Sequence, residues 1–275
     1  MDRRGADVNV VTVRASSWAG LFDCGFKWQG IHLLGIKSPS SPRALLGTAI
    51  HASTAAFDAA RVEGYELSAF DAAEYLVQTL QHPEFDVDWR GADITPREAE
   101  ATGLTLHTRY CNEISPRYEF VAVELETKPL EIDCGGGTIV RLTGTLDRAR
   151  IKRGHDGIGI ADVKTGGAAV SQGVAKTKGH RPQVGTYELL YEHTTGQACT
   201  APAEIIGLKT KGKPETGTGE IVGARELMVG TDEYPGLIQF AADMFRTGLF
   251  PPNPASPLCS ERYCPRWSAC RYRDQ

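Results

Sequence analysis

The 275-residue chain carries 30 Lys and Arg against 34 Asp and Glu, for a formal charge of −4, with 41% apolar residues and seven cysteines. That size supports a substantial core and one catalytic domain over residues 1–275 rather than two domains. The absence of a secretory apolar segment or a long uncharged run excludes a membrane span and points to the cytoplasm. There, an odd cysteine count argues for metal ligation rather than a disulfide scaffold.

In chain order, residues 14–42 form an N-terminal segment around Cys24, in Leu21-Phe22-Asp23-Cys24-Gly25-Phe26-Lys27-Trp28. Residues 43–118 read as a helical region. Arg43 to Val62 spaces Leu45, Leu46, Ile50 and Phe57 among alanines and sets His51 one turn after Gly47. Helical patterning reaches about Gln81, a polar stretch runs from Pro83 to Asp93, and a further helix ends near Asn112. Residues 119–250 follow as the candidate catalytic core. Its first strand, Phe120 to Thr127, carries Glu124 and Glu126, an acidic rim or a solvated strand face.

Thr138 to Lys152 is rich in β-branched and aliphatic residues, Arg153-Gly154-His155-Asp156-Gly157 has turn chemistry, and Ile158 to Val163 reads as a return strand. The midpoint between Asp147 and Asp162 falls inside that turn, so the two carboxylates lie close across a hairpin unless a bulge shifts the register. Asp162 and Lys164, two apart, share a face. A helix from Pro182 to Tyr191 puts Gln183 and Tyr187 on one side, with Pro182 suited to the first helical position. Ala203 to Lys209 reads as a strand, and Gly212 to Gly219 as a mobile loop. A helix from about Tyr234 to Arg246 precedes Phe250-Pro251-Pro252-Asn253-Pro254, which leads into a C-terminal cap, residues 251–275, with Cys259, Cys264 and Cys270.

Two carboxylates held together repel unless a cation neutralises them or they share a proton. Oxygen ligands favour magnesium or manganese, which leave coordination sites for a phosphate. Beside this stands the plainer reading of a solvated hairpin with an Asp162–Lys164 surface ion pair. Likewise, His51 alone suits a satisfied core or surface histidine, and Tyr187 a core position. Four basic groups flank these segments: Arg148, Arg150, Lys152 and Arg153; Lys176, Lys178, His180 and Arg181; Lys209, Lys211 and Lys213; Arg262, Arg266, Arg271 and Arg273. Together they suit a groove that tracks phosphates despite the net negative charge. Cys111, Cys134 and Cys199 lack ligand spacing and read as small core hydrophobes or incidental thiols.

Four strings taken together resemble the PD-(D/E)XK nuclease superfamily, in its RecB-type exonuclease branch. They are Gly47-Thr48-Ala49-Ile50-His51, Gly144-Thr145-Leu146-Asp147-Arg148, Asp162-Val163-Lys164 and Gln183-x3-Tyr187, and their order matches from about residue 14 to 270. The resemblance implies an α/β fold, with a restriction-endonuclease-like core of mixed β-sheet flanked by helices. It also implies a Mg- or Mn-dependent deoxyribonuclease, an exonuclease of DNA ends with phage-type and CRISPR-associated relatives, acting with DNA and a recombination or CRISPR partner protein. By residue, it implies that His51, Asp147, Asp162 and the Val163 backbone carbonyl hold the metal, that Lys164 positions water, and that Gln183 and Tyr187 orient substrate. Asp162 stands where the branch commonly has Glu. Cys24 with Cys259, Cys264 and Cys270 is similar to the branch's four-cysteine [4Fe-4S] site, which joins the two ends of the chain; four thiolates also suit structural zinc. Other readings are a nuclease-like subunit guiding DNA for a partner, an endonuclease, or an RNA-directed nuclease.

Overall fold

The computed structural model describes residues 8–37 and 39–273, so the two ends of the expected domain and position 38 of its cysteine segment lie outside the described residues. Strand β1 (Asn9–Arg14) leads through short helices α1 (Trp18–Asp23) and α2 (Gly25–His32) to the long helix α3 (Pro42–Glu63). Ser41 caps α3 by accepting from the Ala44 amide, Pro42 occupies its first turn, and Gly64 closes it in the left-handed conformation at φ 79°. Helices α4 (Ala69–Gln81) and α5 (Pro96–Arg109) pack on α3, and a π-turn over Tyr110–Ile114 carries the chain into β2 (Tyr118–Glu126).

The strands that follow are β3 (Leu130–Asp133), β4 (Thr138–Thr143), β5 (Thr145–Lys152), β6 (Gly159–Gly166), β7 (Val170–Ser171) and β8 (Val174–Ala175). Helix α6 (Arg181–Thr195) precedes β9 (Ala203–Lys209) and β10 (Glu215–Ile221); α7 (Ala224–Val229) and α8 (Leu237–Thr247) follow. The main sheet is mixed and seven-stranded, in the order β2-β5-β6-β9-β10-β8-β7, and a smaller sheet has the order β1-β4-β3. The expected α/β fold with a mixed sheet flanked by helices is therefore present.

Strand β6 is buried on both faces, and its alternation assigns each residue to a layer. Ala161 and Val163 pack with Leu46, Ile50 and Leu106 of the α3–α5 layer. Ile160 packs with Val184 and Leu190 of α6, in a core that also takes in Trp18, Trp28 and the small sheet. The C-terminal segment closes over α1 and α2. Trp28 stacks on Phe245 and Phe250, with ring centroids 5.7 and 6.3 Å away. Arg266 lies over the Phe26 ring and donates to the Phe26 carbonyl at 2.9 Å.

Two segments differ from the sequence expectation. Thr138 to Lys152 is not one strand: Gly144 breaks it, β4 pairs in the small sheet and β5 in the large one. A side chain at Gly144 would lie 2.9 Å from the Tyr187 ring, so the chain turns between sheets where only glycine fits. Nor is Gly212 to Gly219 wholly a loop, because Glu215–Ile221 forms β10 with a full antiparallel ladder to β9. Its glycines suit close backbone approach: a Cβ at Gly217 would come within 2.5 Å of the Gly173 carbonyl oxygen.

Candidate active site

Strands β5 and β6 pair antiparallel with Arg148 opposite Ala161 and Arg150 opposite Gly159, a register that sets Asp147 level with Asp162, as the turn spacing predicts. The ladder stops at Arg148, and beyond it the Asp147 side chain replaces a backbone acceptor: its Oδ2 receives the Val163 amide at 2.8 Å. Asp162 is fully buried. Its Oδ1 accepts from Gln183 Nε2 at 3.1 Å, and its Oδ2 lies 2.6 Å from Lys164 Nζ. That second oxygen receives no hydrogen bond of good geometry among the described residues, although the ion pair is short. Burial, reinforced by the Asp147 charge, pushes the Asp162 carboxyl up to about 7, and Lys164 opposes the shift.

Helix α3 brings His51 to the same place, with its Nδ1 3.5 Å from Asp147 Oδ2. Gly47 makes that approach feasible, since a Cβ there would meet Thr165 Oγ1 of β6 at 2.6 Å. Burial lowers the His51 pKa while the Asp147 charge raises it, so the neutral imidazole, the form that ligates metals, is favoured near pH 7. The Val163 backbone borders the same ring.

Glu124 completes the group. In the ladder Val123 faces Arg148 and Leu125 faces Leu146, so Glu124 sits across from Asp147. One ligand atom each from His51, Glu124 and Asp147 lie within 4.8 Å of one another. Glu124 is a non-glycine residue at φ 46°, a costly left-handed conformation inside a strand. Desolvation, then the Asp147 charge, raises its carboxyl to about 7. In sequence Glu124 is one of two rim candidates; alternation alone does not distinguish it from Glu126, because the left-handed backbone that turns its exposed side chain toward His51 and Asp147 leaves no local signature.

Gln183 and Tyr187 occupy one face of α6 as expected, with Gln183 Nε2 3.3 Å from the Tyr187 hydroxyl oxygen. The Tyr187 ring is also packed in the core, so the structural and polar readings of this residue hold together. Past Lys164, His180 is held near pH 4 by burial and by the Lys164 and Lys176 charges, which puts the second basic group at the rim of the site.

The first basic group is different. Arg148 and Arg150 are buried, not available to phosphates; Arg148 pairs with Asp58 at 2.8 Å and Arg150 with Glu204 at 3.2 Å. Lys209 and Lys211 are engaged by Glu215 and Asp93, Arg266 donates to Phe26 and Gln29 of α2, and Arg273 to the Trp267 carbonyl within the C-terminal cap. The groove inferred from four groups therefore reduces to Lys176 near the site together with scattered exposed cations, and His180, neutral near pH 7, adds no charge.

Across the molecule, Cys24, Cys259, Cys264 and Cys270 line one pocket, with Phe26, Trp267 and Tyr272 among its walls. Ser256 Oγ donates to Asp23 Oδ2 at 2.6 Å and ties the two chain ends beside it. Cys111 is buried in the helical layer, and Cys134 and Cys199 pack at the edge of the other core.

The model of the PD-(D/E)XK nuclease superfamily matches residues 15–271, and the chain belongs to that superfamily. No curated protein matches it significantly. Among solved structures it is similar to the Eubacterium rectale protein named "Putative exonuclease", with 11% identity and a TM-score of 0.53, over 95% of this chain and 89% of that one. At that identity the likeness speaks to the fold. The chain is thus a nuclease of restriction-endonuclease-like architecture with an acidic, histidine-bearing site that suits a divalent metal. No helix among the described residues is long and apolar enough to cross a membrane.

Proposed function

We propose that the chain is a magnesium- or manganese-dependent DNA exonuclease of the RecB type. The observation that carries this is the convergence of His51, Asp147 and Glu124 beside a buried Asp162 whose Oδ2 lacks a well-formed hydrogen bond. Crowded, desolvated carboxylates beside a neutral imidazole fit a hard divalent cation. His51, Asp147, Asp162 and the Val163 backbone carbonyl would hold it, with Glu124 alongside. When bound, such an ion neutralises the carboxylates and polarises a phosphodiester. Lys164, a quarter exposed, positions water for attack on phosphorus and balances the charge that grows on the phosphate oxygens as the P–O bond breaks. Gln183 keeps Asp162 oriented, and Tyr187 orients Gln183.

Exonuclease action is favoured by the resemblance to phage-type and CRISPR-associated exonucleases and by the name of the Eubacterium rectale neighbour. Work alongside a recombination or CRISPR partner belongs to the same reading. We further infer that Cys24, Cys259, Cys264 and Cys270 hold a [4Fe-4S] cluster, with zinc as the alternative, because the four residues line one pocket. End-labelled linear DNA and covalently closed DNA, digested with magnesium, manganese or EDTA, test the proposal. Loss of the linear substrate alone, and only with metal, is expected; equal loss of both forms would replace exonuclease by endonuclease.

A further inference from the structure

We propose that Arg148 is a positioning residue that holds Glu124 in place against His51 and Asp147. The inference rests on the metal-dependent reading above. The three members of that group come from three elements, α3, β5 and β2, and one guanidinium touches all three. Its Nε donates to Asp58 Oδ2 of α3 at 2.8 Å. Its Nη1 donates to the Asp147 backbone carbonyl at 2.7 Å and to Glu124 Oε1 at 3.2 Å. Nη2 reaches Thr54 Oγ1 at 3.4 Å.

The helix side of this bond is itself braced. Asp58 is fully buried, and its Oδ1 accepts from Ser115 Oγ at 2.6 Å while its Oδ2 accepts from the Tyr110 hydroxyl. His51, Thr54 and Asp58, spaced by three and four residues, follow one face of α3. Fixing Asp58 therefore fixes the rotation of the helix that presents His51.

The strand side is strained. Glu124 at φ 46° persists only if its surroundings over-determine it, and its carboxylate is bonded to the Arg148 fork. A purely structural ion pair would need only Asp58 to neutralise Arg148, and buried pairs add little stability over an apolar replacement. The additional reach to Asp147 and Glu124 is what a positioning role requires. Lysine cannot reproduce it, because one ammonium on a flexible stem lacks the planar fork.

Calorimetric Mn2+ titration in the absence of DNA, on the full chain, tests this with Arg148→Lys, Glu124→Gln and the double variant, with thermal denaturation of each run in EDTA. Each single substitution is expected to weaken Mn2+ affinity by about tenfold or more, on the scale of lost supporting contacts at metal sites. The double variant should bind no more weakly than the weaker single, because both remove the same arrangement. Wild-type affinity in Arg148→Lys, with only a lowered melting temperature, would overturn the proposal; so would losses that multiply fully in the double. His51→Ala and Asp147→Ala serve as separate controls: if they bind Mn2+ as the wild type does, the metal site itself is wrong, whatever Arg148 does. Should Arg148→Lys not fold, Asp58→Asn keeps the shape of the anchor while loosening it, and it is expected to weaken Mn2+ binding several-fold. Unchanged binding there would also overturn the role.

Discussion

Removing the Asp162 charge should stabilise the metal-free protein, increasingly so as pH rises from about 4 to 7. The carboxyl is fully buried, and burial together with the Asp147 charge raises it from 3.8 to about 7. The native state thus holds a proton that the unfolded chain releases near pH 4. In that window the folded form binds more protons, so stability falls as pH rises through 4 to 7 and stays low above it. At about 1.4 kcal/mol per pKa unit the ceiling is about 4 kcal/mol, part of it belonging to the Asp147–Asp162 pair jointly. About half of that, some 2 kcal/mol, should be recovered by Asp162→Asn, or roughly 4–8 °C for a chain of this size. The assay is thermal denaturation in EDTA at pH 5.5 and pH 8 for both proteins. Asp162→Asn should melt higher than the wild type at both values, by about half as much at pH 5.5 as at pH 8, where added Mn2+ should rescue the wild type and not the variant. Melting temperatures that differ by the same amount at both pH values would refute the reasoning.

Lys164→Ala should lower cleavage by about 10²-fold with Mn2+ affinity nearly intact, since it removes an electrostatic group and not a ligand; calorimetry beside single-turnover kinetics separates the two. Gln183→Ala should reduce turnover by misaligning Asp162 without lowering the melting temperature strongly; normal activity per folded molecule with a large stability loss would return the residue to a structural role. Gly47→Ala should cost about 1–3 kcal/mol by wedging α3 off β6, where Thr165 Oγ1 stands 2.6 Å from the new Cβ, and denaturant unfolding reads it directly. Cys24→Ser should lower stability and solubility and remove visible absorbance from anaerobically purified protein; zinc without iron in the wild type would move the site to the zinc reading.

Local chemistry accounts for what was legible in the chain. The Arg153–Gly157 turn between two apolar runs centres the β5–β6 hairpin, and a period of two then sets Asp147 level with Asp162 and puts Lys164 on the Asp162 side. Ser41 with Pro42, and Pro182 near the start of α6, mark helices that carry His51, Gln183 and Tyr187. Spacing within one element survives folding, so the motif residues could be listed before any contact was known. Other features depend on partners far along the chain. Arg148 looks like a surface cation in sequence; it is buried because Asp58, 90 residues earlier, neutralises it, just as Glu204 neutralises Arg150 across 54 residues. Glu124 became a site residue through one backbone dihedral and a register shift in β2, neither of which has a residue-type signature. The glycines of β10 read as a loop until β9 supplied hydrogen bonds on one side and Gly173 crowded the other. Burial and charge neutralisation are properties of pairs, and only the tertiary structure decides which distant residues become neighbours.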